Sequence, residues 1–309
     1  MTMTTSSLNG VWPDVLVPLT PELTIDLPKL ASHIRNLEVK GVEHFTLFGY
    51  AGEGASFSVD EKLAALTHLI HAGLEPDAIL LGVNTTALTD AAKLIDQAHA
   101  QGVRRFLVAP PTFYQPVTNR SVIDFFDQLI AKVHAPDWKL YLHALGGAYS
   151  EISEPVVADL LRTHPQTLAG VVDQDPHEAH TLDFIRSFGA QMSITSTHEP
   201  NLKSLKPVGT VSVLANFIPG VIKHLLENEM PVQTHQVAGM KVRQPDERVV
   251  ELLNLMGELP HVAVLKLMLS MHYRQLGWEL VRPPQTRLSN EARDLMMKAF
   301  KTFNLLPNE

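Results

Sequence analysis

The sequence predicts an eight-stranded (β/α)8 barrel, a TIM barrel, followed by a C-terminal helical extension. Short apolar runs alternate with helical patterns eight times before the pattern becomes helical only. A helix that ends in Gly-Val before a strand recurs at 41–42 and 102–103, and more loosely at 170–171, which indicates a repeated βα module. Alternation of this kind gives a parallel sheet with right-handed crossovers, and eight units favour a closed barrel.

Composition narrows the function to small-molecule chemistry. The 309 residues are 45% hydrophobic, which is enough for a large core, and the net charge of -8 offers no basic surface for nucleic acid or anionic membrane. The absence of cysteine excludes disulfides, thiolate nucleophiles and cysteine metal sites. The first nine residues lack both the basic start and the apolar run of a signal peptide. We therefore expect a cytoplasmic protein with a disordered tip over residues 1–10.

The first units follow from local signals. The run 14–19, which is apolar after Asp14, predicts the first strand, and Asp26 with Pro28 predicts the start of a helix that ends at Gly41. A strand is expected over 42–48. Ser58 and Glu61 form a capping-box pattern, which predicts a helix that extends to about residue 73.

The later units repeat this order. Further strands are predicted at 78–83, 103–108, 138–143, 168–172, 192–195 and 210–213. Helices are predicted at 88–100, 121–133, from 153, at 176–188 and near 202. The barrel is expected to span 11–216 and the helical extension 217–309. No G-x-G-x-x-G follows the first strand, which argues against a dinucleotide-binding fold.

Four segments carry motifs that belong together. They are Val17-Pro18-Leu19 with Asp26, Gly49-Tyr50-Ala51-Gly52-Glu53, the run from Val108 to Tyr114, and Gly209-Thr210-Val211-Ser212-Val213 with Ala215-Asn216 and Pro219. In this combination the chain resembles the dihydrodipicolinate synthase / N-acetylneuraminate lyase family over nearly its whole length. The resemblance implies a small carboxylate ligand and a homo-oligomer, either a dimer or a homotetramer.

The resemblance also implies Schiff-base chemistry, but the residues that this chemistry needs are absent from the corresponding positions. Members of the family hold a 2-keto acid as a Schiff base on a lysine of strand six, and a tyrosine of strand five relays protons. A gapless comparison puts Val172 at the lysine position and Leu142 at the tyrosine position. A shift by one residue would make Tyr141 the tyrosine, but we expect it to point towards the helices. Because only an amine forms the iminium, the sequence predicts that imine chemistry is absent.

Other polar residues are expected at the barrel mouth, because each follows the end of a strand. They are Glu53, Asn84, Tyr114, His143, Asp173, Asp175, His177, His198, Glu199 and Asn216. We predict that His143, Asp173 and His198 are catalytic, as an acid/base group or as ligands of a divalent metal ion. A structural role is the alternative for each: a hydrogen-bonded core imidazole for His143, and loop or helix-start contacts for the others.

Ligand binding is expected to depend on the backbone more than on side chains. The N–H groups between Gly49 and Gly52, across Tyr50 and Ala51, are predicted to cradle a carboxylate or phosphate, with Glu53 ordering the loop. The remaining binding predictions are Tyr114, Gly146, Gly147 and Asn216.

Two functions of different classes follow. The first is a lyase-type enzyme that acts on a small oxo or hydroxy acid without a Schiff-base lysine. The second is a non-catalytic barrel that binds a small carboxylate as a sensor or partner subunit. A third alternative is covalent catalysis by a lysine at an unexpected position.

Overall fold

The computed structural model describes residues 7–114, 116–146, 151–175, 177–227, 245–257 and 259–303. The strands are β1 Gly10–Pro13, β2 Phe45–Leu47, β3 Ile79–Gly82, β4 Arg105–Val108, β5 Lys139–Ala144, β6 Leu168–Asp173, β7 Ser193–Ser196 and β8 Gly209–Ser212. The barrel helices are α1 Leu27–Val39, α2 Val59–His71, α3 Leu88–Ala100, α4 Asn119–Lys132, α5 Glu154–Thr163, α6 Glu178–Phe188 and α7 Leu202–Leu205. The C-terminal helices are α8 Pro219–Glu227, α9 Pro245–Met256, α10 His261–Tyr273 and α11 Asn290–Phe303.

The strands form one parallel sheet that nearly closes on itself. Their order is β1-β8-β7-β6-β5-β4-β3-β2, and an isolated parallel bridge between Asp14 and Thr46 joins the two ends of this order. Helices alternate with the strands, and the C-terminal helices follow the last strand. The predicted TIM barrel with a C-terminal helical extension is therefore confirmed.

The predicted helix starts have the expected capping contacts. Asp26 accepts a hydrogen bond from the Lys29 amide at 3.1 Å at the start of α1. At the start of α2, the Glu61 amide donates to Ser58 Oγ at 3.2 Å, and the Ser58 amide donates to Glu61 Oε2 at 2.9 Å. These contacts satisfy amide groups that have no partner within the helix.

The first strand lies earlier in the chain than predicted. β1 is Gly10–Pro13, and the apolar run 15–19 instead forms a buried extended segment after the strand. Part of the predicted N-terminal tip also belongs to the fold, since Leu8 is fully buried and its amide donates to Ser193 Oγ at 3.0 Å. Residues 1–6 of that tip lie outside the described residues. The shift makes Asp14 the first residue after a strand end.

Three apolar clusters hold these elements together. One fills the space between strands and helices, a second fills the barrel interior, and the third packs α8, α9, α10 and α11 over the segments that follow β1, β2 and β8. The C-terminal helices therefore cover part of the barrel mouth. Within the described ranges no single helix is long and apolar enough to cross a membrane, although α9 and α10 reach that length and composition as a bent pair.

Candidate active site

Two cavities open at the carboxyl ends of the strands. The larger cavity, about 940 Å³, lies between the loop after β2, the start of α2 and the loops after β3 and β4. The smaller cavity, about 260 Å³, lies against α9 and α10 and is bounded by the segments after β1, β6 and β7. His143 and Tyr50 line both cavities. The active-site end of a (β/α)8 barrel is the end at which these cavities open.

His143 carries a hydrogen-bond acceptor that is not used within the described residues. Its Nε2 lies 3.0 Å from Oε1 of Gln174, and because that oxygen only accepts, Nε2 carries the proton. Nδ1 is buried and has no hydrogen-bond partner among the described residues. Burial lowers the pKa of His143 to about 4, so that the ring is neutral near pH 7. Nδ1 is therefore unprotonated near pH 7 and free to accept a hydrogen bond, and at this pKa it is a weak base.

Asp14 brings a buried carboxyl group into the smaller cavity. Its Oδ2 accepts from the Ala51 amide at 2.8 Å, and its Oδ1 from the Gly52 amide at 3.4 Å. Burial raises the pKa of Asp14 to about 7, although the amides of the loop oppose the shift. The loop amides predicted to cradle a ligand carboxylate are thus already bonded to a carboxyl group of the chain itself.

Glu199 is the second buried acid of the smaller cavity. It lies after β7, and its Oε1 accepts from Ser212 Oγ at 2.7 Å and from the Leu214 amide at 2.9 Å. Burial raises the pKa of this carboxyl to about 7. Acids whose pKa lies near neutrality are suited to proton transfer at physiological pH.

His198 lies in the smaller cavity with His143. Its Nε2 donates to the carbonyl oxygen of Asp175, and its amide donates to Ser196 Oγ at 3.1 Å. The two predicted catalytic imidazoles thus line one cavity. Throughout the described part of the chain, no group of three or more His, Asp or Glu side chains is placed to hold a metal ion.

Asp173 does not join the other two predicted catalytic residues. Its side chain points from β6 towards α6, where Oδ1 accepts from His180 Nδ1 at 2.9 Å and Oδ2 from Thr181 Oγ1. The side chain is fully buried and lines neither cavity. The predicted convergence with His143 and His198 is therefore wrong for Asp173, because residue 173 lies on the helix-facing side of the strand.

We expect Asp173→Ala to lower the free energy of unfolding by about 2–4 kcal/mol, because it leaves the buried Thr181 hydroxyl without an acceptor. Urea unfolding monitored by circular dichroism measures the change. Asp183→Ala, which removes an exposed ion pair with Arg186 on the same helix, is the control and is expected to cost at most about 0.5 kcal/mol. Equal stability of the two variants would contradict this role of Asp173.

The side chains of β5 face the opposite way from the prediction. Tyr141 lies in the interior cluster with Val172, whereas Leu142 packs in the cluster between strands and helices. The motif comparison gave positions along β5 but not which alternate set faces inward, which the pairing of Tyr141 with Gly170 and of His143 with Val172 shows. The Tyr141 hydroxyl bonds Arg105, the first residue of β4, and so points to the end of the barrel opposite the cavities. His143, paired with Val172 across the strands, is the inward residue of β5 near the mouth.

Two predicted binding residues have structural contacts instead. Glu53 Oε1 is paired with Lys266 Nζ of α10, and its Oε2 accepts from the Arg282 amide at 2.9 Å. Asn216 Nδ2 donates to the Asp14 carbonyl at 2.8 Å, and Asn216 Oδ1 accepts from the Leu16 amide at 3.2 Å. Glu53 borders the larger cavity, and Asn216 borders neither but holds the segment that carries Asp14.

The other predicted site residues are dispersed. Tyr114 is 75% exposed and packs edge-on against Phe113. Asp175 accepts from the His177 amide at 2.9 Å, a local turn at the start of α6, and His177 is exposed. Gly146 has a φ of 68°, which suits a turn, and Gly147 lies outside the described residues. None of these four described residues lines either cavity.

Lys62 of α2 is a further residue of the site that the sequence did not reveal. It is 1% exposed, borders the larger cavity, and donates from Nζ to the carbonyl oxygens of Val83 at 2.7 Å and Gly82 at 3.3 Å. Burial lowers its pKa to about 7. A lysine within a predicted helix is expected to be exposed, so the sequence gave no reason to expect its burial. The sequence did offer a reason to expect burial of Asp14, since it directly precedes an apolar run. Because the first strand was placed over that run, Asp14 was not recognised as a residue at a strand end.

Comparison with known proteins agrees with this architecture. The model of the dihydrodipicolinate synthetase family matches residues 7–303. The chain is 26% identical over 219 residues to a 4-hydroxy-tetrahydrodipicolinate synthase of Chlamydia trachomatis serovar D, covering 71% of this chain and 74% of the relative. It is 23% identical over 291 residues, 92% of each chain, to a 2-dehydro-3-deoxy-phosphogluconate/2-dehydro-3-deoxy-6-phosphogalactonate aldolase of Saccharolobus solfataricus. The crystal structure of dihydrodipicolinate synthase from Agrobacterium tumefaciens str. C58 has the same fold, with a TM-score of 0.85, 24% identity and coverage of 95% and 99%.

Proposed function

Because the chain belongs to the dihydrodipicolinate synthetase family, we propose that it is a lyase-type enzyme that acts on a small oxo or hydroxy acid without a Schiff base on lysine. The observation that carries this proposal is the chemistry of the smaller cavity. Neutral His143 with a free Nδ1 lines it together with two buried carboxyl groups, Asp14 and Glu199, whose pKa is about 7. Groups with shifted pKa values in one cavity are suited to general acid/base catalysis.

In this proposal His143 Nδ1 accepts a proton from a hydroxyl or an activated carbon of the substrate. Glu199 is half protonated near neutral pH and returns a proton at the other end of the broken bond. Val172 is fully buried among apolar side chains, so the inner face of β6 offers no amine near His143. His143 bonds a side chain and borders open space instead of being sealed by backbone carbonyls, which favours the enzyme over the carboxylate-binding alternative.

The first experiment tests for imine chemistry. We expect no change in intact mass after incubation with pyruvate and borohydride, while an authentic imine-forming synthase is labelled under the same conditions. A contrary result is expected to map to Lys62, because an amine with a pKa of about 7 at a cavity wall is partly neutral near pH 7 and can act as a nucleophile. If an adduct forms and is lost in Lys62→Met, the proposed acid/base mechanism would be wrong, and Lys62 of α2 would be the covalent nucleophile.

The second experiment measures proton transfer directly. We expect the protein to exchange the α-hydrogen of a small oxo acid with D2O, followed by NMR, and we expect His143→Gln to slow this exchange by a factor of about 100 or more. His134→Gln, at an exposed imidazole bonded to Asp96, is the control and is expected to exchange at the wild-type rate. Equal rates in all three proteins would refute the role of His143.

A further inference from the structure

We infer that Asp14 occupies the anion-binding loop from within, so that the loop 49–52 excludes a ligand carboxylate and the smaller cavity binds the hydroxyl or amine end of its ligand. This inference rests on the proposed function, because it concerns the substrate of the same site. It replaces the sequence-based expectation that the loop 49–52 binds the carboxylate of the ligand.

The loop has the geometry of an anion cradle, and its donors are in use. A turn in which the Gly54 amide donates to the Gly49 carbonyl at 3.0 Å leaves the amides of Ala51 and Gly52 on one side of the loop. Successive amides of this kind bind anions. Both donate to the two oxygens of Asp14, at 2.8 and 3.4 Å, as they would to the carboxylate of a ligand.

The packing around Asp14 shows that the loop is built around this carboxyl group. A Cβ atom at Gly49 would lie 2.3 Å from Asp14 Oδ1, so any other residue at position 49 would collide with it. Asn216 fixes the backbone of Asp14, and Asp14 is itself only 3% exposed. A ligand carboxylate therefore has neither free amides nor space at this place while Asp14 is present.

Two further groups of the smaller cavity can accept hydrogen bonds, His143 and Glu199. His143 Nδ1 is buried without a partner among the described residues, and the residue is 2% exposed. The carboxyl group of Glu199 borders the same space. Among the described residues no lysine or arginine lines the smaller cavity, whereas Lys62 and Lys93 line the larger one. A ligand group that donates hydrogen bonds therefore matches these two acceptors.

The test removes the internal carboxyl group and offers a free one in its place. Asp14→Ala leaves the two loop amides without an acceptor, and acetate is small enough to replace the lost group. We expect sodium acetate to raise the melting temperature of Asp14→Ala by about 2 °C or more relative to sodium chloride at equal ionic strength. The same comparison is expected to leave the wild-type protein and Asp14→Asn unchanged, since Asn retains an acceptor and fills the space.

Saturation-transfer NMR on the wild-type protein gives a second readout that needs no variant. We expect ethanolamine and glycerol to receive saturation, and acetate, which offers only a carboxylate, to receive none. His143→Leu is expected to weaken the ethanolamine signal, because it removes the accepting nitrogen.

Two outcomes would overturn the inference: wild-type protein that binds acetate as well as Asp14→Ala does, or Asp14→Ala that folds and gains nothing from acetate. If Asp14→Ala does not fold, the NMR comparison on the wild-type protein decides. The inference and the proposed function fail separately. A wild-type protein that binds acetate and still shows His143-dependent exchange would retain the acid/base enzyme while excluding the internal carboxylate as a block.

Discussion

Replacing Lys266 by methionine is expected to lower the free energy of unfolding by about 3–5 kcal/mol. Lys266 Nζ pairs with Glu53 Oε1, and both side chains are fully buried. Methionine matches the length of the lysine stem but leaves the Glu53 carboxylate without its counter-charge. The same lysine donates to the Leu280 carbonyl at 2.8 Å, so the change also removes a contact between α10 and the segment that follows it.

Urea unfolding of three proteins separates the loss of the pair from the loss of one charge. The double variant Glu53→Gln with Lys266→Met is expected to recover at least half of the loss, because it no longer buries an unpaired charge. Lys223→Met is the matched control: its pair with Glu227 is exposed and 3.9 Å long, and its removal is expected to cost less than about 1 kcal/mol. Similar losses in Lys223→Met and Lys266→Met would show that burial of the pair has no energetic consequence.

The barrel was predictable because its signals are local and repeated. Asp26, Ser58 and Glu61 each identified a helix start from a capping pattern of a few residues, and each makes the predicted contact. Eight apolar runs then indicated a parallel sheet, because each but the last was followed closely by a helix. The one strand misplaced was β1, where the longer apolar run 15–19 outweighed the shorter strand Gly10–Pro13.

The site was less predictable, because facing and burial depend on packing across the sheet. Leu142 and Tyr141 exchange sides relative to the prediction, because the face of each residue depends on how β5 packs in the barrel, which the motif comparison does not contain. Asp173 was placed at the mouth from its position at a strand end, yet its carboxylate faces α6. The position of a residue at a strand end shows how far along the barrel axis it lies. Whether its side chain faces the barrel interior or the helices depends on the register of the strand.

The two acids of the smaller cavity illustrate the same limit. Asp14 became a site residue only when β1 was found four residues earlier than the run beginning at Asp14. Glu199 was among the expected mouth residues, but only its burial distinguishes it from an exposed helix-start acid. Burial of a charged side chain arises from the C-terminal helices packed over the mouth, which no local pattern at residue 199 encodes.

Ionisation of Glu199 is expected to destabilise the wild-type protein as the pH rises. Its pKa is raised by burial from 4.5 to about 7, so the folded state holds the proton where the unfolded state has released it. The stabilisation is fully present below about pH 4.5 and is lost as the pH rises through about 7. With about 1.4 kcal/mol per pKa unit, the loss is about 3 kcal/mol.

Glu199→Gln is expected to remove this pH dependence, because glutamine is uncharged throughout. Its Oε1 accepts from Ser212 Oγ and the Leu214 amide as the protonated acid does, so the two proteins are expected to be equally stable near pH 4.5. Asp14 and His143 titrate in both proteins, and their contributions cancel in the difference. Urea unfolding between about pH 4.5 and pH 8 should therefore leave the variant about 3 kcal/mol more stable at the upper end. Parallel stability curves would instead mean that Glu199 ionises as an ordinary solvated carboxyl group, and it would then be unsuited to hold a proton for the reaction at neutral pH.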